Sequence, residues 1–454
     1  MTYIPNILGF ALLLGVFVTS GFRPLKNQKV LLALVDGMRW DSFGLDLPSL
    51  RRIEENGVRA DWMNGVFVTY TTPNLYSIAT GLYPENHGVI HNLFFNATSR
   101  TSTSDFEDVL NTTAFFDTGV EPMWISAKLA GKKVAGIMYA GTAVPIKGIL
   151  SDRVVYLSPW SLKNYSLKDR LKDAVSWIAE EDFDLVLTYL NLPDYTLHDH
   201  RIETETSQSD MLTADNAISS LLDDVDQREL WDTLNVIVVS DHGHFNVDPE
   251  KYIVLTDYID EEDIEYSVMY GSALFQLKPK EEEKDKVVQL LQSAHPALHV
   301  YRKEDFPEHF HYGNHPRNLP VIGYVDLGWH VHMEAFDPFR DSLISQSDHG
   351  YDNQYMEMKP IFYARGPAFK TSYRARPINN VDIYQMVCEI LDVEAAPNNG
   401  SLGRYKNMMK TSSSQEKILR SDILIIASCL IIAVGCLFIS RVFPTKKDTT
   451  NKRE

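Results

Sequence analysis

The segment KVLLALVDGMR, residues 29–39, constrains the fold more than any other part of this sequence. Its residues Val30 to Val35 are all apolar, and they lead directly into Asp36. A strand that is apolar along its whole length is buried on both faces, as in the centre of a parallel sheet covered by helices. Open sheets of this kind bind their ligands at the carboxyl ends of the strands. We therefore expect a central strand that delivers Asp36 to a functional site.

Further apolar, strand-like runs alternate with amphipathic segments along the chain. The runs FDLVLTYLNL and LNVIVVS each follow a stretch with helical spacing of apolar residues, at 167–180 and 209–230 respectively. Strands separated by helices of this size predict an α/β fold with a mostly parallel central sheet and helices on both faces. Residues 257–332 are less regular, and we expect them to form an insertion or a lid.

The two ends of the chain predict membrane targeting. Residues 1–20 have a short apolar core that ends in small residues, which is typical of a secretory signal peptide. Residues 423–440 form an uncharged apolar run of bilayer-spanning length, and basic residues follow it. A lipid-anchor signal that is later removed is the rival interpretation of this run. The predicted segments are a signal peptide (1–20), an extracellular domain (21–410), a juxtamembrane linker (411–422), a transmembrane helix (423–440) and a cytoplasmic tail (441–454).

This topology predicts a single-pass type I protein of the cell membrane with its large domain outside the cell. Asn-x-Ser/Thr triplets fit that location as glycosylation sites; they begin at Asn96, Asn111, Asn164 and Asn399. The formal net charge of −18 argues against nucleic acid as a partner. Cys388 lies in a segment with helical apolar spacing and is expected to be a buried packing residue.

Acidic and imidazole side chains recur at the predicted strand ends and suggest a metal centre. Asp194 and His198 are four residues apart after a predicted strand, so on a helix they share a face and can converge on one ion. The full set of candidate ligands is Asp36, Asp194, His198, Asp241, His242 and His349. Three carboxylates and three imidazoles are enough for two metal ions, and mixed ligands of this kind favour zinc over magnesium or calcium.

A series of motifs between residues 30 and 403 includes VDGMR, TPNLYSIATGLYPENHGVIHN, SDHG, HGYDN and NNVDIYQMVCEIL. The series resembles the ectonucleotide pyrophosphatase/phosphodiesterase family of the alkaline phosphatase superfamily. The resemblance implies an alkaline-phosphatase-like sandwich, with Thr71 as nucleophile and Asn92 holding a phosphate oxygen. It also implies two zinc ions, with ligand sets that are Asp194, His198 and His349 for one, and Asp36, Asp241, His242 and the Thr71 oxygen for the other.

The resemblance further implies the reaction. Coordination to zinc would lower the pKa of the Thr71 hydroxyl, and the reaction would pass through a phosphothreonyl intermediate. The implied protein is a cell-surface, zinc-dependent hydrolase of phosphodiester or pyrophosphate bonds in extracellular nucleotides. A sulfatase is excluded, because TTPNL lacks the Cys or Ser that such enzymes modify.

Several positions depart from the family pattern, and they leave the substrate open. Thr72 stands where many members have a phenylalanine that stacks on a nucleobase, and a second aromatic is expected near Tyr156. Both are candidate substrate contacts. Leu197 replaces a usual glycine, and His244 replaces a usual methionine. Two alternatives therefore stay open: a phosphodiesterase that acts on phosphocholine-bearing lipids, and an inactive cell-surface recognition module on the same scaffold.

Overall fold

The apolar segment that begins at residue 29 forms the central strand of a large sheet. The computed structural model describes residues 27–410, except 97, 100, 104, 105, 111, 157–164, 270, 272 and 335–344. Strand Lys29–Val35 pairs in parallel with Leu185–Leu190 on one side and with Leu234–Val239 on the other. All three strands are almost completely buried. The predicted central parallel strand is confirmed.

This sheet has eight strands, and most of its pairings are parallel. Strand Phe362–Arg365 is the exception. It lies between Val58–Ala60 and Leu234–Val239 and pairs antiparallel with both. From one edge to the other, the strands are Tyr373–Ala375, Val58–Ala60, Phe362–Arg365, Leu234–Val239, Lys29–Val35, Leu185–Leu190, Val134–Ile137 and Arg153–Val155.

Helices cover both faces of the sheet, and the central strand shows why. Its alternate side chains point to opposite faces. Leu31, Ala33 and Val35 pack into one apolar core with helices that include 167–180 and 205–227. Val30, Leu32 and Leu34 pack into a second core with helices 71–80 and 382–391. The predicted sandwich of an α/β sheet between two helical layers is confirmed.

The helices, in chain order, are Pro48–Asn56, Thr71–Thr80, Pro84–His87, Phe106–Leu110, Thr113–Phe116, Met123–Leu129, Leu167–Glu180, Asp194–Asp199, Glu205–Gln227, Lys284–Gln292, Asp382–Leu391 and Leu402–Tyr405. The long helix begins at Glu205 and ends at Gln227, whereas the sequence pattern predicted 209–230. The side chain of Thr204 accepts a hydrogen bond from the backbone N–H of Ser207 and so fixes the earlier start.

The irregular region 257–332 contains a second, antiparallel sheet. Its strands, from edge to edge, are Ile264–Met269, Leu274–Pro279, Val321–Val325 and Leu298–Arg302. Helix Lys284–Gln292 packs against it. Short paired strands complete the fold: Met63–Asn64 with Ile378–Asn379, Phe95–Asn96 with Thr101–Ser102, Phe245–Asn246 with Ser347–Asp348, and Tyr252–Val254 with His330–His332. The region is therefore an inserted subdomain with its own core.

One prediction from the chain ends needs correction. Among the described residues, no helix is both long enough and apolar enough to cross a membrane. By this finding, the predicted location as a single-pass type I protein of the cell membrane is wrong. The segments behind that prediction lie outside the described residues: 1–20, 411–422, 423–440 and 441–454.

Candidate active site

The carboxyl ends of the three central strands bring the predicted acidic residues together. Asp36 follows directly on strand Lys29–Val35, Asp241 lies just past Leu234–Val239, and Asp194 opens the helix after Leu185–Leu190. Because these strands are parallel neighbours, their ends meet at one edge of the sheet. The three carboxylates are thus held side by side in the interior of the protein.

The first cluster is formed by Asp36, Asp241, His242 and Thr71. The Nε2 atom of His242 lies 3.4 Å from Oδ1 of Asp36, 3.3 Å from Oδ2 of Asp241 and 3.3 Å from Oγ1 of Thr71. All four residues are at most 4% exposed. Four potential ligand atoms therefore converge on one small volume.

The hydrogen bonds of this cluster leave its inward-facing atoms without partners. Oδ2 of Asp36 accepts from the Tyr189 hydroxyl, and Oδ1 of Asp241 accepts from the backbone N–H groups of Gly37 and His242. The other oxygens, Asp36 Oδ1 and Asp241 Oδ2, are buried and have no hydrogen-bond partner among the described residues. Nδ1 of His242 donates to the carbonyl of Gly243, so its Nε2 presents a lone pair. This arrangement fits a metal cation.

The second cluster is centred on Asp194. Nε2 of His198 and Nε2 of His349 each lie 3.5 Å from Oδ1 of Asp194. His198 shares the short helix 194–199 with Asp194, as their spacing predicted. Nδ1 of His349 donates to the carbonyl of Thr69 at 2.8 Å, which again leaves Nε2 with a lone pair. Three sets of side chains are close enough together to hold a metal ion: Asp36, Asp241 and His242; Asp194, His242, His244 and His349; and His198, Asp348 and His349.

Burial and mutual repulsion perturb the ionisation of these groups. Burial, together with the charges of Asp194 and Asp241, raises the pKa of Asp36 well above its usual value. Burial also raises the pKa of Asp241 to about 6. Although burial opposes ionisation of Asp194, the neighbouring imidazoles His198 and His244 hold its pKa well below the usual range. Burial lowers the pKa of His242 to about 3, so this imidazole is neutral, as a metal ligand must be.

Thr71 and Asn92 lie beside the first cluster. Thr71 is the first residue of helix Thr71–Thr80, where the positive end of the helix dipole favours an anion. Oδ1 of Asn92 accepts from the backbone N–H of Thr72 at 2.8 Å. This bond fixes the amide so that its NH2 group is the end left to donate. A hydroxyl, a hydrogen-bond donor and a helix N-terminus therefore adjoin the first cluster.

Comparisons with known proteins agree with this geometry. A family model described as Type I phosphodiesterase / nucleotide pyrophosphatase matches residues 30–352. Ectonucleotide pyrophosphatase/phosphodiesterase family member 7 of Mus musculus is 34% identical over 407 residues, which cover 87% of this chain and 90% of that protein. The chain belongs to the ectonucleotide pyrophosphatase/phosphodiesterase family. The predicted family and its enzyme class, the nucleotide pyrophosphatase/phosphodiesterase hydrolases, are confirmed.

Two further members of the family are similar to this chain. The Bis(5'-adenosyl)-triphosphatase of Mus musculus is 33% identical over 386 residues, which cover 84% of this chain and 81% of that protein. The solved structure of murine ectonucleotide pyrophosphatase/phosphodiesterase 5, an inactive threonine-to-alanine form in complex with AMP, superposes with a TM-score of 0.78 at 31% identity. It covers 84% of this chain, and all of that chain is matched.

Three residues that the sequence analysis gave no role contact the family's site residues. Tyr189 donates to Asp36, His244 lies against Asp194, and Oδ1 of Asp348 is 3.6 Å from Nδ1 of His198. Asp348 directly precedes His349 and His244 follows His242 by two, so proximity in sequence could have signalled both. Tyr189 lies 153 positions from Asp36, and only the pairing of two strands brings them together.

The remaining predicted positions are placed as follows. Thr72 is completely buried in helix 71–80, and Tyr156 is partly buried against the core on the Thr71 side of the sheet. Neither placement tests a contact with substrate, and both stay predictions. Of the four predicted glycosylation sites, Asn96 and Asn399 are exposed, while Asn111 and Asn164 lie outside the described residues. Cys388 is buried, as predicted, and it forms no disulfide within the described part of the chain.

Proposed function

We propose that this chain is a zinc-dependent hydrolase of phosphodiester or pyrophosphate bonds in nucleotides, with Thr71 as its nucleophile. The observation that carries the proposal is the first cluster. Two buried carboxylate oxygens without partners, on Asp36 and Asp241, face the lone pair of His242 and the Thr71 hydroxyl. Buried polar atoms are almost always hydrogen-bonded, so unpartnered carboxylate oxygens of this kind call for a cation.

The donors fit two zinc ions. Neutral imidazoles and carboxylates are common zinc ligands, and His242 and His349 each anchor Nδ1 to a backbone carbonyl, as zinc-ligating histidines do. One ion would be held by Asp36, Asp241, His242 and the Thr71 oxygen, and the other by Asp194, His198 and His349. Bound there, the two ions would supply the positive charge that lowers the pKa of the Thr71 hydroxyl and offsets charge on the leaving group.

The protein's own residues account for the rest of the reaction. Oγ1 of Thr71 gives up its proton to solvent and attacks phosphorus, and the bond to the leaving oxygen breaks. The leaving oxygen takes up a proton, and the phosphoryl group with its remaining ester stays on Thr71. The NH2 of Asn92 stabilises a non-bridging oxygen, and the N-terminal end of the dipole of helix 71–80 favours the negative charge. Water then attacks the same phosphorus, the bond to Oγ1 breaks, and Thr71 recovers its proton. Two successive in-line displacements release both products.

Nucleotides are the proposed substrates because of what similar proteins bind and cleave. One relative is named for cleaving bis(5'-adenosyl) triphosphate, and another binds AMP when a threonine is replaced by alanine. Thr72 is buried and is not aromatic, so this residue does not provide the aromatic face that many members of the family have at its position. A phosphocholine ester is therefore the substrate to test against nucleotides.

Turnover on a panel of substrates tests the proposal. We would compare the p-nitrophenyl ester of thymidine 5'-monophosphate, bis(5'-adenosyl) triphosphate, p-nitrophenyl phosphorylcholine and p-nitrophenyl phosphate, each with and without a chelator. We expect hydrolysis of the nucleotide diesters, abolished by the chelator and restored by zinc. Preference for the phosphorylcholine ester would indicate that the substrate is a phosphocholine-bearing lipid and not a nucleotide. No turnover on any diester by zinc-loaded protein would leave the inactive recognition module as the better account.

A further inference from the structure

His244 occupies the metal centre without a role in either ligand set. Its side chain is completely buried, and its ring centroid lies 5.1 Å from that of His349 and 5.2 Å from that of His198. Its Nε2 atom is 2.6 Å from Oδ1 of Asp194. By proximity alone, His244 could be counted as another metal ligand.

The distances to Asp194 separate a ligand from a hydrogen-bond partner. Two atoms bound to the same tetrahedral zinc, each about 2.0–2.1 Å from the ion, are about 3.3 Å apart. Nε2 of His198 and of His349 lies 3.5 Å from Asp194 Oδ1, close to that spacing. The 2.6 Å separation for His244 is too short for a shared ion, and it matches a charge-assisted N–H···O bond to a carboxylate.

The surrounding structure holds His244 in this position. Nδ1 of His244 is 3.2 Å from Oγ of Ser347, and this oxygen also lies 2.8 Å from the carbonyl of Leu197 on the Asp194 helix. Because a neutral imidazole has one N–H, a donor at Nε2 requires the Ser347 hydroxyl to donate to Nδ1. Gly37 makes the close approach possible. A Cβ atom at Gly37, whose φ is +72°, would lie 2.9 Å from Cδ2 of His244 and 3.0 Å from Cβ of Asp194. The loop after the central strand thus leaves room for this contact and little more.

We propose that His244 is a positioning residue that donates from Nε2 to Oδ1 of Asp194 and fixes this carboxylate for metal binding. The inference rests on the proposed two-zinc centre and adds to it a residue of this chain that binds no metal itself. Partners that orient a metal ligand change metal affinity by about 10- to 100-fold. The effect should be confined to the ion on Asp194, because His244 contacts no carboxylate of the Asp36 cluster within 4.0 Å among the described residues.

Two substitutions separate positioning from ligation. His244→Leu removes the donor, whereas His244→Gln keeps an N–H that can reach Asp194 but supplies no imidazole nitrogen. The control is His299→Leu, which removes a similar bond, 2.8 Å between His299 and Asp326, from the inserted subdomain. Zinc dissociation constants would be measured by competition with a chromophoric chelator. The 113Cd resonances of cadmium-loaded protein would report the two sites separately, and thermal melts would confirm folding.

We expect His244→Leu to weaken one of the two zinc ions by about 10- to 100-fold and to leave the other unchanged. His244→Gln should recover most of that affinity, and both 113Cd resonances should keep nearly their original shifts in it. The control should match the wild type. Unchanged zinc affinity in His244→Leu would overturn this inference but leave the proposed function in place. Equal losses in Leu and Gln, with one displaced resonance, would make His244 a ligand and also overturn it. Wild-type protein that binds no zinc would overturn both this inference and the proposed function.

Discussion

Two buried carboxylates in this protein have equal burial and opposite surroundings. Asp382 is completely buried, and both its oxygens are paired with Arg404, at 2.6 and 2.7 Å. The backbone N–H groups of Ser401 and Asn379 complete its shell. Asp36 is 1% exposed, but one of its oxygens has no partner, and its nearest charged neighbours include two further carboxylates.

The partners of a buried carboxylate, rather than its burial, indicate its role. A buried carboxylate that is paired and fully hydrogen-bonded holds the chain together, and its removal leaves an unpaired charge. The charge of a buried carboxylate among other carboxylates is unfavourable, and a bound cation offsets it. Asp382 is therefore assigned to the stability of the fold, and Asp36 to the chemistry of the site.

The largest effect should come from Thr71, which adds reactivity to the Asp36 cluster. Thr71→Ala removes the proposed nucleophile while leaving Asp36, Asp241 and His242 in place. We expect turnover on a nucleotide diester to fall by at least about 1,000-fold, with zinc content close to that of the wild type. Steady-state kinetics and elemental analysis of the same sample measure both. Loss of metal or of folding along with activity would contradict the assigned role.

Asp382→Ala should destabilise the fold without touching the chemistry. The substitution leaves the Arg404 guanidinium without its partner and exposes two N–H groups. We expect a loss of about 3 kcal/mol, at the low end for a broken ion pair because the Arg404 side chain is 35% exposed. Urea denaturation measures the loss. kcat per folded molecule should stay the same. A large drop in kcat would show that Asp382 also affects the chemistry of the site.

Asp36→Asn should do the opposite of Asp382→Ala. In metal-free protein, burial and the neighbouring carboxylates Asp194 and Asp241 raise the pKa of Asp36 well above its usual value. A raised pKa in the folded state means that an ionised Asp36 destabilises the fold. Asparagine is neutral, so Asp36→Asn should stabilise the metal-free fold by roughly 1 kcal/mol. The same variant should bind zinc poorly. Denaturation with and without zinc tests this, and clear destabilisation of the metal-free variant would refute it.

The smallest effect is expected at Lys359, which is a buried cation, whereas Asp36 and Asp382 are buried carboxylates. It lines a polar cavity of about 620 Å³, donates to the carbonyl of Asn353, and has no carboxylate within 4.0 Å in the described part of the chain. Burial lowers the pKa of Lys359 from its usual value of 10.5 to about 8. The cost of holding it charged is therefore full below about pH 8 and is relieved as the pH rises towards 10.5.

Lys359→Met should accordingly raise the melting temperature by about 2 °C at pH 7. The gain over the wild type should shrink as the pH rises from 8 to 10.5, and differential scanning calorimetry across that range measures it. A gain that is constant with pH would show that packing, rather than charge, explains the change.

Local patterns predicted much of this structure. The apolar run 30–35 correctly predicted the central strand. The helical spacing of apolar residues correctly predicted the helix Leu167–Glu180, including both of its ends. The four-residue separation of Asp194 and His198 gave their shared helix, because that geometry depends on near neighbours only.

Features that depend on distant pairing could not be predicted in the same way. Tyr189 reaches Asp36 because Leu34 and Tyr189 are in register in adjacent strands, and no local pattern fixes that register. His244 meets Asp194 only because Gly37, on a third segment, leaves space between them. The antiparallel sheet in 257–332 likewise joins strands whose order in space differs from their order in sequence.

Metal content tests the central claim most directly, namely that the buried carboxylates at the ends of the central strands bind metal cations. We would measure zinc by inductively coupled plasma mass spectrometry in purified wild-type protein, in Asp36→Asn and in Asp194→Asn. The account predicts two zinc ions per chain in the wild type and one in each variant. A wild type that binds no metal in the presence of zinc, or variants that keep both ions, would contradict it.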